Sequence, residues 1–392
     1  MIRQAFFICL STLSGTTDAF SHGRGFDGNS KRLIMQFQHV CLEAAVAILP
    51  PHVVSSSDIE TQLAPVYERL GLPAGRLELM TGIHERRFYA PGTKPGQISS
   101  KTAKLAVETA GLPIEAYGAL IHGSVCRDQM EPATANIVHL NAGLSSNCML
   151  FDVSNACLGL LNGMTLLASM IELGQIQAGI IVGTEVGRPL VESTIQSLIA
   201  DETLTRQSIK YDIASLTIGS GSAAFVLCHE KISRHKTKLV GAISTCDTAS
   251  HSLCAGGHDQ AAPSAGLRMS TDSEALLHAG VNLAKSQWPT FLDHLHWEAE
   301  KVDKVITHQV GKAHRKLLLQ SLDVPESKDY PVVEYMGNTG AVALPTALVL
   351  ALENGHVATG EKIALLGIGS GLNCMMAGLT YQGVNVKSQI MK

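Results

Sequence analysis

Short apolar runs alternate with longer amphipathic stretches along most of the chain. The runs are apolar at successive positions, which is typical of strands covered by helices on both faces. They predict parallel strands at 119–121, 149–153, 179–182, 223–227, 302–307, 332–335 and 363–367. Helices are predicted at 59–70, 101–110, 157–173, 273–295, 313–322 and 344–354. The alternation indicates an α/β fold built from packed layers.

A short internal repeat suggests that this pattern occurs twice. Ile-Gly-Ser-Gly stands at 218–221 and again at 368–371, and an apolar run follows each copy. A polar, basic stretch at 230–237 separates the copies. Two similar halves are therefore predicted, an N-terminal half at 35–230 and a C-terminal half at 231–392.

The first residues of the chain differ from the rest. Residues 1–34 hold a short apolar run and then a stretch rich in Ser, Thr and Gly, whereas the folded pattern starts at Met35. A disordered extension or a mis-assigned start codon is predicted for them. A secretory signal is the alternative, but no small-x-small cleavage site follows the apolar run.

Composition excludes several classes of protein. The chain has 392 residues, is 45% hydrophobic and only 16% charged, and carries a net charge of −4. Disorder and nucleic-acid binding are therefore not expected. The most apolar stretch, 341–352, contains Pro345 and is too short for a membrane span. Nine cysteines without a C-x-x-C pair indicate neither a disulfide framework nor a zinc site, so we expect a cytoplasmic protein without a metal.

One of these cysteines is a candidate nucleophile. Cys157 follows the predicted strand at 149–153 and begins the predicted helix at 157–173. A helix N-terminus stabilises a thiolate, which is the reactive form of cysteine. Ala156 and Gly159 leave space for a substrate beside it. A buried packing cysteine is the alternative interpretation.

Three further positions follow predicted strands. His308 ends the run at 302–307, where open α/β sheets assemble their sites, although a loop histidine is the alternative. Asn338 lies in a Gly-Asn-Thr-Gly turn, either as a turn residue or as a donor to a substrate carbonyl. The Gly-Ser-Gly turn at 369–371 lacks the Lys-Ser/Thr of a phosphate loop. We expect it to present backbone N–H groups to a reacting carbonyl. His314 is predicted to lie on a helix surface.

Taken in chain order, these motifs resemble those of the thiolase superfamily, and within it the ketosynthase III-like condensing enzymes. The resemblance covers residue 35 to about residue 382. It implies a duplicated αβαβα five-layer fold, a homodimer, and an oxyanion hole formed by the backbone of Cys157, Ser370 and Gly371. Residues 124–135 and 363–374 are similar to those of the olefin-biosynthesis (OleA-type) ketosynthases.

The OleA-type resemblance implies a reaction. Two acyl-CoA thioesters are condensed to a β-keto acid through acyl-Cys157, while His308 and Asn338 hold the second thioester oxygen. No decarboxylation occurs, so a base must remove a proton. Glu131 matches the glutamate that reaches the neighbouring subunit's site in that family. An acid before a proline is, in isolation, more often a solvated loop residue. CoA thioesters are substrates, and no cofactor is expected.

Other functions stay open. A β-ketoacyl-acyl-carrier-protein synthase III would condense acyl-CoA with malonyl carrier protein and would need no base, so Glu131 separates the two readings. A true thiolase has a second cysteine where this chain has Gly367. An inactive partner subunit typically lacks the nucleophile. Acyl carrier protein and downstream enzymes are possible further partners. The residues that contact CoA are not assigned, because 75–80 contains no aromatic residue.

Overall fold

The computed structural model describes residues 33–258 and 266–391. Most of the predicted extension, residues 1–32, lies outside this part of the chain. The first strand already includes Leu33 and Ile34, two residues that the predicted extension contains.

The strands are β1 (Leu33–Gln36), β2 (Val40–Leu49), β3 (His52–Ser55), β4 (Glu85–Phe88), β5 (Tyr117–Gly123), β6 (Met149–Val153), β7 (Ala178–Glu185), β8 (Gly221–His229), β9 (Lys238–Cys246), β10 (Cys254–His258), β11 (Leu267–Thr271), β12 (Lys304–Thr307), β13 (Lys362–Gly369), β14 (Asn373–Thr380) and β15 (Asn385–Ile390).

The helices are α1 (Ser56–Gln62), α2 (Ala64–Leu70), α3 (Arg76–Thr81), α4 (Pro95–Ala110), α5 (Thr134–Ala142), α6 (Gly159–Glu172), α7 (Arg188–Ala200), α8 (Ile213–Leu216), α9 (Ser273–Leu295), α10 (Lys312–Ser321), α11 (Val333–Met336) and α12 (Ala343–Glu353). Within the described ranges, none of these helices combines the length and the apolar character that crossing a bilayer requires.

The main sheet contains the same strand pattern twice. Its order is β12-β13-β14-β9-β2-β8-β7-β5-β6, with β1 beside β9 and β15 beside β2. In one run β5 and β7 are parallel, whereas β7–β8 and β8–β2 are antiparallel. In the other run β12 and β13 are parallel, whereas β13–β14 and β14–β9 are antiparallel. The limits of the two halves, 35–230 and 231–392, stay predictions.

Helices cover both faces of each run of strands. Helices α6 and α12 lie in one apolar cluster with residues from both runs, and every α12 residue except Glu353 is buried. A helix that is apolar all round is the kind that can occupy such a central layer. Helices α4 and α5 pack on the outer face of one run, and α9 and α10 on that of the other. The αβαβα layer order is confirmed.

Several predicted elements need correction. Residues 332–335 belong largely to the short helix α11 instead of a strand. The predicted helix at 59–70 is divided at Leu63, because a new helix, α2, begins at Ala64 with Pro65 in its first turn. The run at 223–227 is antiparallel to both neighbours in the sheet. The helix at 273–295 and the strand at 149–153 have the predicted bounds.

Candidate active site

Cys157 lies in the turn that joins β6 to the central helix α6. The strand ends at Val153 and the helix begins at Gly159. Ala156 has a φ of 45°, a left-handed conformation that is costly for a residue with a Cβ. The chain therefore turns sharply just before Cys157, which is half-buried.

The environment of Cys157 holds a proton on its thiol. Burial, with smaller contributions from the nearby Glu185 and Cys254, raises the pKa of the thiol to about 12, whereas its own backbone N–H opposes the shift. This shift opposes the thiolate that a helix N-terminus would favour, because burial disfavours the charged form. Cys157 needs a proton acceptor when it attacks.

The glycine turn between β13 and β14 packs against this nucleophile. A Cβ built on Gly369 would lie 3.5 Å from the backbone nitrogen of Cys157. The Asn373 amide nitrogen lies 3.3 Å from the side-chain oxygen of Asn155 and 3.3 Å from the Ser370 carbonyl oxygen. The turn is thus held beside Cys157, where the oxyanion hole is predicted.

His308 directly follows β12, as predicted. Its backbone N–H donates to the carbonyl of Leu366 in β13, which places it next to the strand that leads to the glycine turn. The residue is 3% exposed, and neither ring nitrogen has a hydrogen-bond partner among the described residues. Burial, with a smaller effect of His314, lowers the pKa of His308 to about 3. A neutral imidazole, with one donor and one acceptor nitrogen, therefore faces the site.

The prediction that His314 lies on a helix surface is wrong. Burial lowers the pKa of its imidazole to about 4, and its Nδ1 atom is buried with no partner in the described structure. The ring lies close enough to His308 to lower the pKa of that residue as well. The pattern of α10 did not reveal this, because the burial comes from elements distant in sequence.

Asn338 is fixed by hydrogen bonds on both sides of its peptide unit. Its N–H donates to Thr217 at 2.9 Å, and its carbonyl accepts from Gly219 at 2.8 Å. Its side-chain oxygen accepts from the N–H of Gly340 at 3.0 Å. The Nδ2 atom makes no hydrogen bond within the described residues, so it is free to donate to a substrate oxygen.

The first copy of the Ile-Gly-Ser-Gly repeat has a role in this turn. A Cβ on Gly219 would lie 2.1 Å from the carbonyl oxygen of Met336. A glycine is therefore required where β8 approaches the Asn338 turn. The repeat was visible in the sequence, but its contact with Asn338 was not.

Gln309 joins His308 to the Asn338 turn, and the sequence analysis gave it no role. It is 1% exposed, and its side-chain oxygen accepts from Val332 at 2.8 Å and Val333 at 3.1 Å. Its amide nitrogen donates to the carbonyl of Tyr330 at 2.8 Å. These bonds hold the start of α11, the helix that leads to Asn338. The sequence feature that could have indicated this role was a second polar residue directly after a buried strand.

Glu185 is a second residue that sequence reasoning missed. It ends β7, is 5% exposed, and its carboxyl oxygens accept backbone N–H groups from Val125, Cys126 and Ala341. Burial raises the pKa of the carboxyl group, while the backbone N–H donors oppose the shift. The only sequence feature that pointed to Glu185 was an acidic residue at the end of a fully buried strand.

Glu131 lies apart from these groups. It belongs to the loop between β5 and α5 and is exposed, as are its neighbour Met130 (86%) and Val125 (50%). The contacts above bring together Cys157, His308, the Asn338 turn and the glycine turn. Glu131 is not part of that group within one chain.

No role was predicted for the segment 246–268. Its described residues border the site. Asp247 and Leu372 exchange two backbone hydrogen bonds, of 2.8 and 3.1 Å, directly after the glycine turn. Cys254 in β10 is close enough to raise the pKa of Cys157. Among the described residues, no three His, Cys, Asp or Glu side chains are arranged to hold a metal ion.

Condensing enzymes of the thiolase superfamily transfer acyl groups through a cysteine, and the duplicated layered fold places this chain among these acyltransferases. Two family models agree with this class. The thiolase N-terminal domain model matches residues 79–187, and the 3-oxoacyl-[acyl-carrier-protein] synthase III C-terminal model matches residues 292–381. The first range contains Cys157, and the second contains His308 and Asn338.

Curated relatives narrow the class. An acyl-CoA:acyl-CoA alkyltransferase of Shewanella oneidensis is 39% identical over 88% of this chain and 100% of its own length. One of Xanthomonas campestris pv. campestris is 34% identical over the same shares. The chain belongs to this family of acyl-CoA:acyl-CoA alkyltransferases. A crystallised cysteine-to-serine variant of Xanthomonas campestris OleA, with bound lauric acid and lauroyl-CoA, superposes with a TM-score of 0.83 at 34% identity, covering 88% of this chain and 100% of that one.

Proposed function

We propose that this chain joins two acyl-CoA thioesters by a Claisen condensation without decarboxylation and releases a β-keto acid. The observation that carries the proposal is the 39% identity to an acyl-CoA:acyl-CoA alkyltransferase over that protein's whole length. The bound lauroyl-CoA of the Xanthomonas OleA variant supports a long acyl-CoA as substrate. CoA thioesters are the substrates, and the proposed reaction uses no cofactor.

In the first step, the thiol of Cys157 attacks the thioester carbonyl of one acyl-CoA. A new carbon–sulfur bond forms to Cys157, the bond to the CoA sulfur breaks, and the thiol proton passes through neutral His308 to the departing CoA. The backbone N–H groups of Cys157, Ser370 and Gly371 stabilise the oxyanion. Loss of one such donor costs about 3–4 kcal/mol in other enzymes.

In the second step, a second acyl-CoA binds with its thioester oxygen against His308 and the Nδ2 atom of Asn338. Glu131 removes a proton from the carbon next to that carbonyl, which gives an enolate. The carbanion attacks the acyl carbonyl, so that a carbon–carbon bond forms and the bond to Cys157 breaks. Water then hydrolyses the remaining thioester to the β-keto acid and CoA.

The exposed position of Glu131 supports a homodimer. Strand β6 is at the edge of the main sheet, and its first residue, Met149, is 57% exposed. Met130 (86%) and Leu140 (71%) add large apolar side chains to the exposed surface of the segments flanking β6. Apolar surface beside an unpaired edge strand favours association with another chain. We therefore assign Glu131 to the neighbouring subunit's site.

The cysteines bear on the cellular location. All eight cysteines in the described residues are free thiols, which fits a reducing compartment. The cytoplasmic location stays a prediction. Acyl carrier protein and downstream enzymes stay predicted partners.

The decisive experiment supplies one long acyl-CoA as the only substrate. We expect the β-keto acid, or the ketone it gives on decarboxylation, together with two CoA per product. Mass spectrometry of the lipid extract and a thiol assay measure both. The synthase III C-terminal match at 292–381 is the observation behind the decarboxylative alternative, which the identity to the alkyltransferases makes the less favoured of the two. Product formed only when malonyl carrier protein is added would establish that alternative.

A further inference from the structure

The carboxyl group of Glu185 lies between two segments, the loop that carries Glu131 and the turn that carries Asn338. Its Oε1 atom accepts from the N–H of Val125 at 2.9 Å, and Oε2 accepts from Cys126 at 3.1 Å. Oε1 also accepts from Ala341 at 3.3 Å. One buried side chain therefore binds both segments.

On one side, these bonds hold the start of the Glu131 loop. Val125 and Cys126 lie two and three residues after the end of β5. The Cys126 thiol also lies 3.4 Å from the backbone nitrogen of Val186, next to Glu185. The far end of the loop is held by Asp152, whose carboxylate accepts from Thr134 and Ala135 at 2.8 Å each. The segment with Glu131 is thus anchored at both ends.

On the other side, Glu185 packs against the Asn338 turn. Gly340 has a φ of 54°, and a Cβ on it would lie 3.2 to 3.3 Å from the Cγ, Cδ and Oε1 atoms of Glu185. The N–H of Gly340 is the donor that fixes the side-chain oxygen of Asn338. The position of the Glu185 carboxyl group therefore sets the direction of the Asn338 amide.

No cation balances this acid. Among the described residues Glu185 forms no ion pair, and a buried carboxylate without one is unfavourable. A glutamine would fill the same space, but it offers a single acceptor oxygen where the carboxylate offers two. Its amide nitrogen would face the N–H of Cys126, whereas in Glu185 Oε1 accepts from Val125 and Ala341 and Oε2 accepts from Cys126.

We propose that Glu185 is a positioning residue for the condensation step, setting the loop that carries Glu131 and the turn that carries Asn338 relative to each other. The inference rests on the proposed function, in which both of those residues act on the second acyl-CoA. Cys157 acylation uses neither of them, so the two steps separate the role of Glu185 from a general effect on the fold.

The test compares Glu185→Gln with Glu43→Gln in the full chain. Glu43 is the matched control, because its buried carboxylate also accepts a backbone N–H, from Arg234 at 3.1 Å. It contacts Cys228, at the opposite end of β8 from Gly221, the residue that pairs with Glu185. Intact-protein mass spectrometry after rapid mixing with acyl-CoA measures acylation, and product formation measures condensation.

For Glu185→Gln we expect acylation of Cys157 at the wild-type rate or faster, because the acid raises the pKa of that thiol. Condensation should be slower by about a hundredfold, as a displacement of about 1 Å can cause. Glu43→Gln should leave both rates unchanged. Condensation at the wild-type rate, or an equal loss of both steps in a folded variant, overturns the proposal. If the Gln variant does not fold, Glu185→Asp, which keeps the charge but shortens the reach, is held to the same two outcomes.

A wild-type chain that makes no β-keto acid from acyl-CoA alone would contradict the proposed function. A condensing wild type together with a condensing Glu185→Gln variant would contradict only the role of Glu185. The two failures are therefore distinguishable in one set of assays.

Discussion

The surroundings of Cys157 and of Glu131 differ in almost every physical respect. Cys157 is half-buried beside Glu185, Cys254 and the glycine turn, which come from distant parts of the chain. Glu131 is exposed on a loop beside the edge strand β6. The groups proposed for acylation all belong to one chain, whereas none of the described residues covers the surface around Glu131.

This difference separates the two proposed steps. Acylation needs the thiol, a neutral imidazole and backbone N–H groups, all of which one chain supplies around Cys157. Condensation also needs a base, and the exposed Glu131 can act only on a site outside its own chain's buried cluster. The comparison predicts variants that stop both steps, variants that stop only condensation, and effects on stability that are independent of catalysis.

The largest effect is expected for Cys157→Ala. Removing the nucleophile should reduce acyl transfer by on the order of 10⁴-fold or more, because no other group forms the covalent intermediate. Peptide mass spectrometry of the wild-type chain should find the acyl group on Cys157, with Cys254→Ser as the control that stays acylated. An acyl group on any other cysteine would disprove the nucleophile.

Glu131→Ala should still acylate but should condense slower by about 10² to 10⁴-fold, the usual contribution of a general base. Co-expression of Glu131→Ala with Cys157→Ala then tests the dimer. If Glu131 serves the neighbouring site, mixed dimers hold one working site and the mixture regains about a quarter of wild-type activity. Purified homodimers of each variant are the controls, and a mixture without activity would place Glu131 elsewhere.

Asn338→Ala should slow condensation by about 10² to 10³-fold, the effect of losing one donor to a developing oxyanion. Acylation of Cys157 should change little, since Asn338 acts on the second substrate. Rapid-mixing mass spectrometry and product assays measure the two steps. An equal loss of both rates would show that Asn338 acts in the first step. The control variant is Asn354→Ala, at the residue that caps the C-terminus of α12.

The smallest effect concerns stability and pH. The pKa of His308 is lowered to about 3 in the folded chain, so below about pH 6.5 the unfolded chain binds more protons than the folded one. The free energy of unfolding should therefore fall on acidification, with His308 contributing about 2 kcal/mol between pH 7 and pH 5. Urea unfolding of His308→Asn at both pH values and one protein concentration should show a smaller fall. The exposed His251 gives the control variant, and an unchanged fall would mean that His308 is not buried neutral.

Local sequence sufficed for residues whose role follows from their place after a strand. Cys157 after β6 and His308 after β12 were candidates because a mostly apolar run followed by a reactive residue is a local pattern. The α11 helix was missed because three of its four residues are apolar, as in a strand, whereas the Gln309 side chain that accepts from the N–H groups of Val332 and Val333 comes from another part of the chain.

By itself, the sequence predicted the layered α/β fold, the repeat, and Cys157, His308 and Asn338 as candidate site residues, since periodicity and turn chemistry act between neighbouring residues. Only the tertiary structure decided the protonation of Cys157 and His308, the burial of His314, and the contacts of Gln309 and Glu185. The pKa of a group depends on the residues that exclude water from it. The role of Gln309 or Glu185 depends on which backbone N–H groups lie within hydrogen-bond distance of its side chain. Both are set by segments that lie far apart in the chain.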